Sequence, residues 1–372
     1  MPPLKLAVSG YYGCGNAGDE AVLAGMKEAL TRVAGERVQL LVLSQNPQDT
    51  HDLHGVEAVY RMHLPSVRTS LKRSAMLISG GGSLLQDSTS LRSLFYYLLI
   101  LRMAQEVGIP TFFYAQGIGP LRRPIARWLV RVAAERAAGI TVRDEPSRQL
   151  LKEIGVRKPS IEVTADPAFC LNIPSKEAAG ILLKNSGIDP ERPSIGVSLR
   201  PWEKTADPFS APAALLPALE SACGKQVILI PMQQPGDSEF ALETAKRSGS
   251  ATRFPVLGGV HSPREILGVT ARMEAVVAMR LHTLIFAVRA GVPPFALSYD
   301  PKVENLMQLI GRPDDLMNSG SFHPEEVADH VRLLLAERSI RAAELKHTAI
   351  DLEQRALRTA ELAMRAAGIP VG

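Results

Sequence analysis

The sequence predicts an α/β protein of two doubly wound, Rossmann-like domains facing each other across a cleft, with a long C-terminal helix. Three observations carry this prediction. Short apolar runs alternate with helical patterns through the first half, a proline-rich stretch interrupts them near the middle, and a second series of the same kind follows. At 372 residues the chain is also longer than one small core organises.

In the first series, Leu4 to Ser9 reads as a strand. Glu20 to Val33 reads as a helix, because Ala21, Val22, Met26, Ala29, Leu30 and Val33 recur near the helical period. Val38 to Leu43 and Ala75 to Ser79 are strands, Leu91 to Val107 a helix, Thr111 to Ala115 a strand and Pro124 to Ala138 a helix, with further strands near Ile140 and Ile161. Such βαβ units imply a parallel sheet covered on both faces. Pro174, Pro190 and Pro193 mark residues 173–193 as an interdomain connection between a domain at 1–172 and one at 194–339.

The second series has strands at Ser194 to Leu199, Gln226 to Pro231, Ala275 to Ala278 and Phe295 to Ser298. Helices near Pro212 to Cys223, Ser238 to Arg247, Arg264 to Arg272 and Leu281 to Ala290 alternate with them. Residues 340–372 form a long helix rich in Ala, Glu, Leu and Arg, expected to pack back on the first domain.

Composition narrows the function classes. A formal net charge of +4 is no nucleic-acid signature, and 46% apolar with 22% charged residues is ordinary for a globular protein. Cys14, Cys170 and Cys223, few and widely spaced, fit free thiols in a reducing compartment, with no C-x-x-C pair for zinc. The first residues lack the layout of a signal peptide, so a cytoplasmic protein is expected. The apolar run Leu94 to Leu101 is far shorter than the roughly 20 residues of a membrane span. The histidines show no metal-ligand spacing, and no metal or cofactor is expected.

Three glycine-rich segments follow strands. Gly13-x-Gly15-x-x-Gly18 stands where a dinucleotide fingerprint would. Against that reading, the second strand ends in Ser44-Gln45 without a ribose-binding acid, and Asp19-Glu20 put negative charge where a pyrophosphate would bind. Asp19 either favours the helix start electrostatically or accepts a proton from a substrate hydroxyl, with Asn16 orienting that substrate. Ser79 to Asp87, containing Gly80-Gly81-Gly82 and Gln86, offers backbone N–H groups to a phosphate or sugar, or makes a sharp turn. Ala115 to Pro120, with Gln116, repeats the theme.

Arg143 also ends a strand, where its planar fork suits a carboxylate or phosphate unless Asp144 or Glu145 occupies it. Arg280-Leu281-His282 takes a strand directly into a helix, beside the N-terminus where anions are stabilised. Arg123, Arg127 and Arg131 recur every four residues on one predicted helix, next to Arg122; they are either a solvated face or a contact for anionic headgroups.

Together SGYYGCGNAGDEAVL, SGGGSLLQD, AQGIGPL, TVRDE, TADPAF, GVSLRPW and MRLHTLIFAVRAGVPPFALSYDPKV resemble the polysaccharide pyruvyl transferase family, most closely its CsaB branch. The resemblance implies a GT-B-like fold and transfer of pyruvate from phosphoenolpyruvate, a substrate and not a cofactor, onto a sugar as a ketal. In that branch the acceptor is a lipid-pyrophosphate-linked disaccharide with a terminal N-acetylmannosamine. The product is a cell-wall polymer that anchors surface-layer proteins, so transient contact with the inner membrane surface is implied.

By the same resemblance His282 and Asp19 are the catalytic pair, and Arg143, Arg280, Leu281 and His282 hold phosphoenolpyruvate. Gly15, Asn16, Gly18, Asp19, Gly81, Gly82, Gln86 and Gln116 form the acceptor side. Two other classes stay open at this point: a GT-B glycosyltransferase or sugar-nucleotide epimerase, and a non-catalytic carbohydrate-binding protein.

Overall fold

The computed structural model describes residues 3–88, 90–201, 207–259 and 261–370. Two compact units emerge. The first comprises Met1–Cys14, Asp19–Leu171 and Leu352–Gly372, and the second Gly15–Gly18 and Asn172–Asp351.

The first unit is built on β1 (Leu4–Tyr12), β2 (Val38–Ser44), β3 (Glu57–Tyr60), β4 (Met76–Ser79), β5 (Gly82–Leu85), β6 (Thr111–Ile118), β7 (Gly139–Val142) and β8 (Ile161–Val163). Their order is β3-β2-β1-β4-β6-β7-β8, with β5 paired to β6, and every pairing is parallel. Ala7, Leu41, Leu77, Phe113 and Ile140 face one core with Leu71, Leu94, Leu101, Val130 and Leu151 of the covering helices. Residues of opposite parity, such as Leu6, Val8, Val42 and Ile78, are equally buried, as a sheet covered on both faces requires.

Helix Ala17–Ala34 buries Val22, Met26 and Leu30, and its Gly25 lies against the Pro167 carbonyl, where a side chain would collide. The last helix, Arg338–Ala366, is continuous. Its second half belongs to the first unit: Thr359 Oγ1 donates to Thr164 Oγ1 (2.7 Å), Arg355 to the Thr164 carbonyl (2.9 Å), and Arg32 meets Glu353 at 2.6 Å.

The second unit carries β9 (Ser194–Ser198), β10 (Gln226–Leu229), β11 (Ala275–Ala278), β12 (Pro294–Ser298) and β13 (Leu316–Asn318), all parallel in the order β10-β9-β11-β12-β13. Helices Ser210–Cys223 and Pro324–Ala336 pack together on one face through Leu215, Leu216, Leu219, Val331 and Leu334. In both sheets the connections reverse direction at one point, β1/β4 and β9/β11, and open α/β sheets bind ligands outside the strand carboxyl ends at such points.

The structure departs from the sequence reading in definite places. Strand β1 runs on through Gly10-Tyr11-Tyr12, and β6 runs on to Ile118, so the expected third glycine loop is largely strand. The second glycine segment supplies β5 in place of a strand-to-helix turn. Helices Pro47–His54, Leu64–Lys72, Glu145–Glu153, Pro301–Leu309 and Pro324–Ala336 and strands β3 and β13 are additional. Trp202, the end of the GVSLRPW motif, lies outside the described residues.

Gly25→Ala is expected to lower stability by about 1–3 kcal/mol, the usual cost of overpacking, because the Pro167 backbone has no rotamer by which to yield. Urea denaturation at the wild-type midpoint or above would contradict that packing.

Candidate functional site

On the second unit the rim is organised by Asp237, 1% exposed. Its carboxylate accepts the backbone N–H groups of Met232 (3.2 Å) and Gln233 (3.1 Å) and a two-point contact from the Arg280 guanidinium, with Nε at 2.8 Å. Arg280 also donates to Gln233 Oε1 at 3.3 Å. A fork held at two points has a fixed plane, which a lysine could not reproduce. Arg280 is the N-cap residue of helix Leu281–Ala290; Leu281 is buried, and Thr283 fastens the first turn to β9 by an Oγ1–Oγ bond to Ser198 of 3.0 Å.

The segment Gly15–Gly18 belongs to this same unit. Ala17 N–H donates to the Met232 carbonyl (2.8 Å), Gln234 N–H to the Gly15 carbonyl (2.9 Å), and Asn16 bridges Gln233. The Asn16 Oδ1 accepts Gly18 N–H at 3.0 Å, so its acceptor atom is engaged in the helix start. His282 lies directly over Gly18: a Cβ there would collide with Nδ1 and come to 2.9 Å of Cγ. The last glycine of the fingerprint-like motif is thus room for an imidazole, and no phosphate cradle.

Nor is Gly13 a phosphate donor. Its N–H is taken at 2.8 Å by Glu20, 5% exposed, whose other oxygen meets His54 Nε2 at 2.7 Å. A buried carboxylate at this place excludes a pyrophosphate by charge and by occupancy together.

In the first unit, Asp19 is half-buried, and the positive-φ Gly82 (φ 89°) leaves space beside it, since a Cβ would come to 3.3 Å of Oδ1. Gly81 is packed against Val22. Around the carboxyl ends of β1 and β4 gather Tyr11, Tyr12, Cys14, Tyr97 and Arg61, a residue sequence reading missed. Arg61 is 8% exposed, lies over the Tyr96 ring (4.3 Å) and the Tyr97 ring (5.3 Å), and donates to the Gly10 carbonyl. Burial pushes the Tyr97 phenol up to about 12 against the opposing pull of Arg61, and raises the Cys14 thiol likewise. Tyr12 is pushed higher by burial and then by Asp19 and Glu20. Each is held toward its neutral form, beside the charges of Arg61, Asp19 and Glu20.

Arg143 is not an open cation. It is buried, with Nη1 on Asp166 (3.1 Å), Nη2 on Ser83 Oγ (3.0 Å) and Nε 3.7 Å from Asp144. Gly117 makes room for it: a Cβ would reach 2.9 Å from Nη2. Gln116 is fully buried, its amide donating to Ser79 Oγ (2.8 Å) and the Gly80 carbonyl (3.0 Å), so it fastens β6 to the end of β4. Gln86 accepts from Ser88 at 2.5 Å. Asp166 was legible only as the acid of the TADPAF motif, Glu20 only as negative charge at the helix start, and Arg61 by no motif at all. Among the described residues no group of three or more His, Cys, Asp or Glu side chains is placed to hold a metal.

Two parallel, doubly wound sheets make a GT-B-like fold, and solved structures share it. Anabaena HepE in complex with UDP-glucose superposes with TM-score 0.64 at 14% identity, over 98% of this chain and 100% of that one. S. aureus MnaA in complex with UDP gives 0.65 at 12%, over 99% and 98%. A glycosyltransferase from Rickettsia africae gives 0.63 at 10%, over 98% and 99%. Residues 16–301 match the model of the polysaccharide pyruvyl transferase family, and the chain belongs to that family.

Removing one partner of a buried ion pair strands the other charge, so Asp237→Ala is expected to cost about 3 kcal/mol in urea denaturation. A cost below about 1 kcal/mol would show that Asp237 does not organise the rim.

Proposed function

We propose that this protein moves pyruvate from phosphoenolpyruvate onto a lipid-pyrophosphate-linked disaccharide containing N-acetylmannosamine, as a cyclic ketal, in the synthesis of a surface-layer-anchoring cell-wall polymer. The observation that carries the reading is the family match across residues 16–301, within which Arg280-Leu281-His282 opens a helix at the second sheet's reversal point. The acceptor and pathway rest on the resemblance to the CsaB branch.

In this mechanism the His282 imidazolium gives a proton to the methylene carbon of phosphoenolpyruvate, and C2 becomes cationic. An acceptor hydroxyl adds to C2 while Asp19 takes its proton. Phosphate then leaves with the electrons of its bond to C2, and a second hydroxyl of the same sugar closes the ring. One hydroxyl proton restores the acid and the other leaves with phosphate. Arg280, its plane fixed by Asp237, binds a donor oxyanion through its remaining N–H edge. Arg143, committed to Asp166 and Ser83, enters as a positioning residue, and Leu281 and Gln116 as framework. The loop around Gly82 and Gln86 and the segment Gly15–Asn16 serve the acceptor.

A lipid-borne acceptor needs an enzyme that visits the bilayer surface, and the first unit carries a face suited to it. Helices Leu91–Val107 and Pro124–Glu135 pack together and expose Phe95 (43%), Leu99 (41%), Ile125 (50%) and Trp128 (57%) beside Arg92, Arg122 and Arg123. Apolar anchors among arginines match the anionic interface. This changes the expected patch, since Arg127 pairs with Glu153 (3.7 Å) and Arg131 with Glu135 (3.4 Å). No helix among the described residues is long and apolar enough to cross a membrane.

Phosphate release from phosphoenolpyruvate in the presence of the lipid-linked acceptor, and no turnover of UDP-sugars, is the expected donor choice; the reverse selectivity would sink the reading. His282→Ala and Asp19→Asn should each lower kcat by roughly 10²–10⁴-fold with the thermal midpoint retained. Wild-type turnover in either variant removes that residue from the chemistry. Ile125→Ser with Trp128→Ser should abolish co-flotation with phosphatidylglycerol vesicles, and undiminished flotation would exclude this face.

A further inference from the structure

The rim of the second sheet holds a second arginine that the reading above leaves without a task. Arg200 follows β9 by two residues, directly across the sheet's reversal point from Arg280, because Ser198 pairs with Ala278 and Met279 N–H donates to the Ser198 carbonyl at 2.8 Å. The two arginines lean to opposite sides. Arg280 reaches toward the loop after β10, whereas the Arg200 guanidinium lies 4.8 Å over the ring of Tyr299, which follows β12.

Unlike Arg280, Arg200 is held by no carboxylate among the described residues. Its Nε is buried without a hydrogen-bond partner, and so is the hydroxyl of Ser319, a residue 8% exposed just beyond β13. Both residues line one small cavity of about 60 Å³, closed on its apolar side by Leu199, Met279 and Phe322. The first turn of helix Ser210–Cys223 contributes Ala211 and Pro212 to the wall, with its positive dipole end at the cavity. The one acid among the described lining residues, Asp207, is occupied: it accepts the Phe209 N–H at 3.0 Å and faces Arg247 at 3.4 Å.

A buried guanidinium N–H and a buried hydroxyl are costly to leave unmatched, and both belong to residues that line one cavity beside a sheet's reversal point, where one acceptor would complement both. We propose that this cavity is an oxyanion subsite, in which Arg200 Nε–H and Ser319 O–H donate to a phosphate or carboxylate of the small-molecule donor. Tyr299 supports the guanidinium from below by a cation–π contact and fixes its plane. The inference rests on the pyruvyl-transfer reading only for the identity of the donor: the site divides recognition of a two-anion molecule between Arg280 on one side of the reversal point and Arg200 on the other.

Isothermal titration of the full chain with phosphoenolpyruvate, inorganic phosphate and pyruvate tests this. Arg200→Gln should weaken phosphoenolpyruvate at least tenfold, as expected for a lost charge-assisted hydrogen bond, and Ser319→Ala should weaken it several-fold. Which small anion loses affinity in parallel, phosphate or pyruvate, tells which end of the donor the cavity holds. Arg200→Lys keeps the charge without the Nε donor and should also bind weakly; with Ser319→Ala it carries the test if the Gln variant fails to fold. Wild-type affinity for all three ligands in folded Arg200→Gln and Ser319→Ala overturns the subsite and leaves pyruvyl transfer standing. Arg200-dependent binding of phosphate without any binding of phosphoenolpyruvate retains the subsite and overturns the donor. No binding of any of the three to the wild type overturns the subsite.

Discussion

One carboxylate holds the second unit's rim together. Asp237 is buried, and its charge is balanced by the Arg280 guanidinium and two backbone N–H groups. Through them it ties the turn at Met232–Gln233 to the start of helix Leu281–Ala290. That turn in turn receives Gly15–Gly18 by backbone hydrogen bonds, and Gly18 receives the His282 ring. A charge taken out of water this completely persists only with its partners in place, so the position of the His282 imidazole follows from the pair of Asp237 and Arg280.

The glycines of the chain read differently once this is seen. In a dinucleotide-binding protein, glycines bring backbone N–H groups to a pyrophosphate. Here Gly18 admits His282, Gly117 admits Arg143, and Gly13 gives its N–H to Glu20. Gly18 and Gly117 are clearances for side chains, and Gly13 is a donor to one. The same theme makes Arg143 a clamp joining Ser83 on β5 to Asp166 beyond β8.

Much of the framework was legible. Helices Leu91–Val107 and Leu281–Ala290 and strand β11 fall where apolar periodicity put them, because each is an uninterrupted buried pattern. What escaped was short and polar: helix Glu145–Glu153 buries only Ser147 and Leu151 and depends on its Asp144 cap, and β3 is an edge strand with no buried residue. The Arg280-Leu281-His282 step was readable as a strand running into a helix, but its anchor Asp237 lies 43 positions away in the sequence, and nothing local announces the pairing. Arg61, and the partners of Glu20 and Arg200, were missed for the same reason: the contacts with Tyr96, His54 and Tyr299 are made only by the fold.

In the proposed reaction a carbon of the donor is protonated and then captured by a sugar. Running the reaction with phosphoenolpyruvate and the lipid-linked disaccharide in deuterium oxide, followed by mass spectrometry of the acceptor, tests it directly. The expected product is one pyruvate ketal whose methyl group carries a single solvent deuterium. A pyruvate adduct without deuterium, or an acceptor that gains a sugar instead, would contradict it.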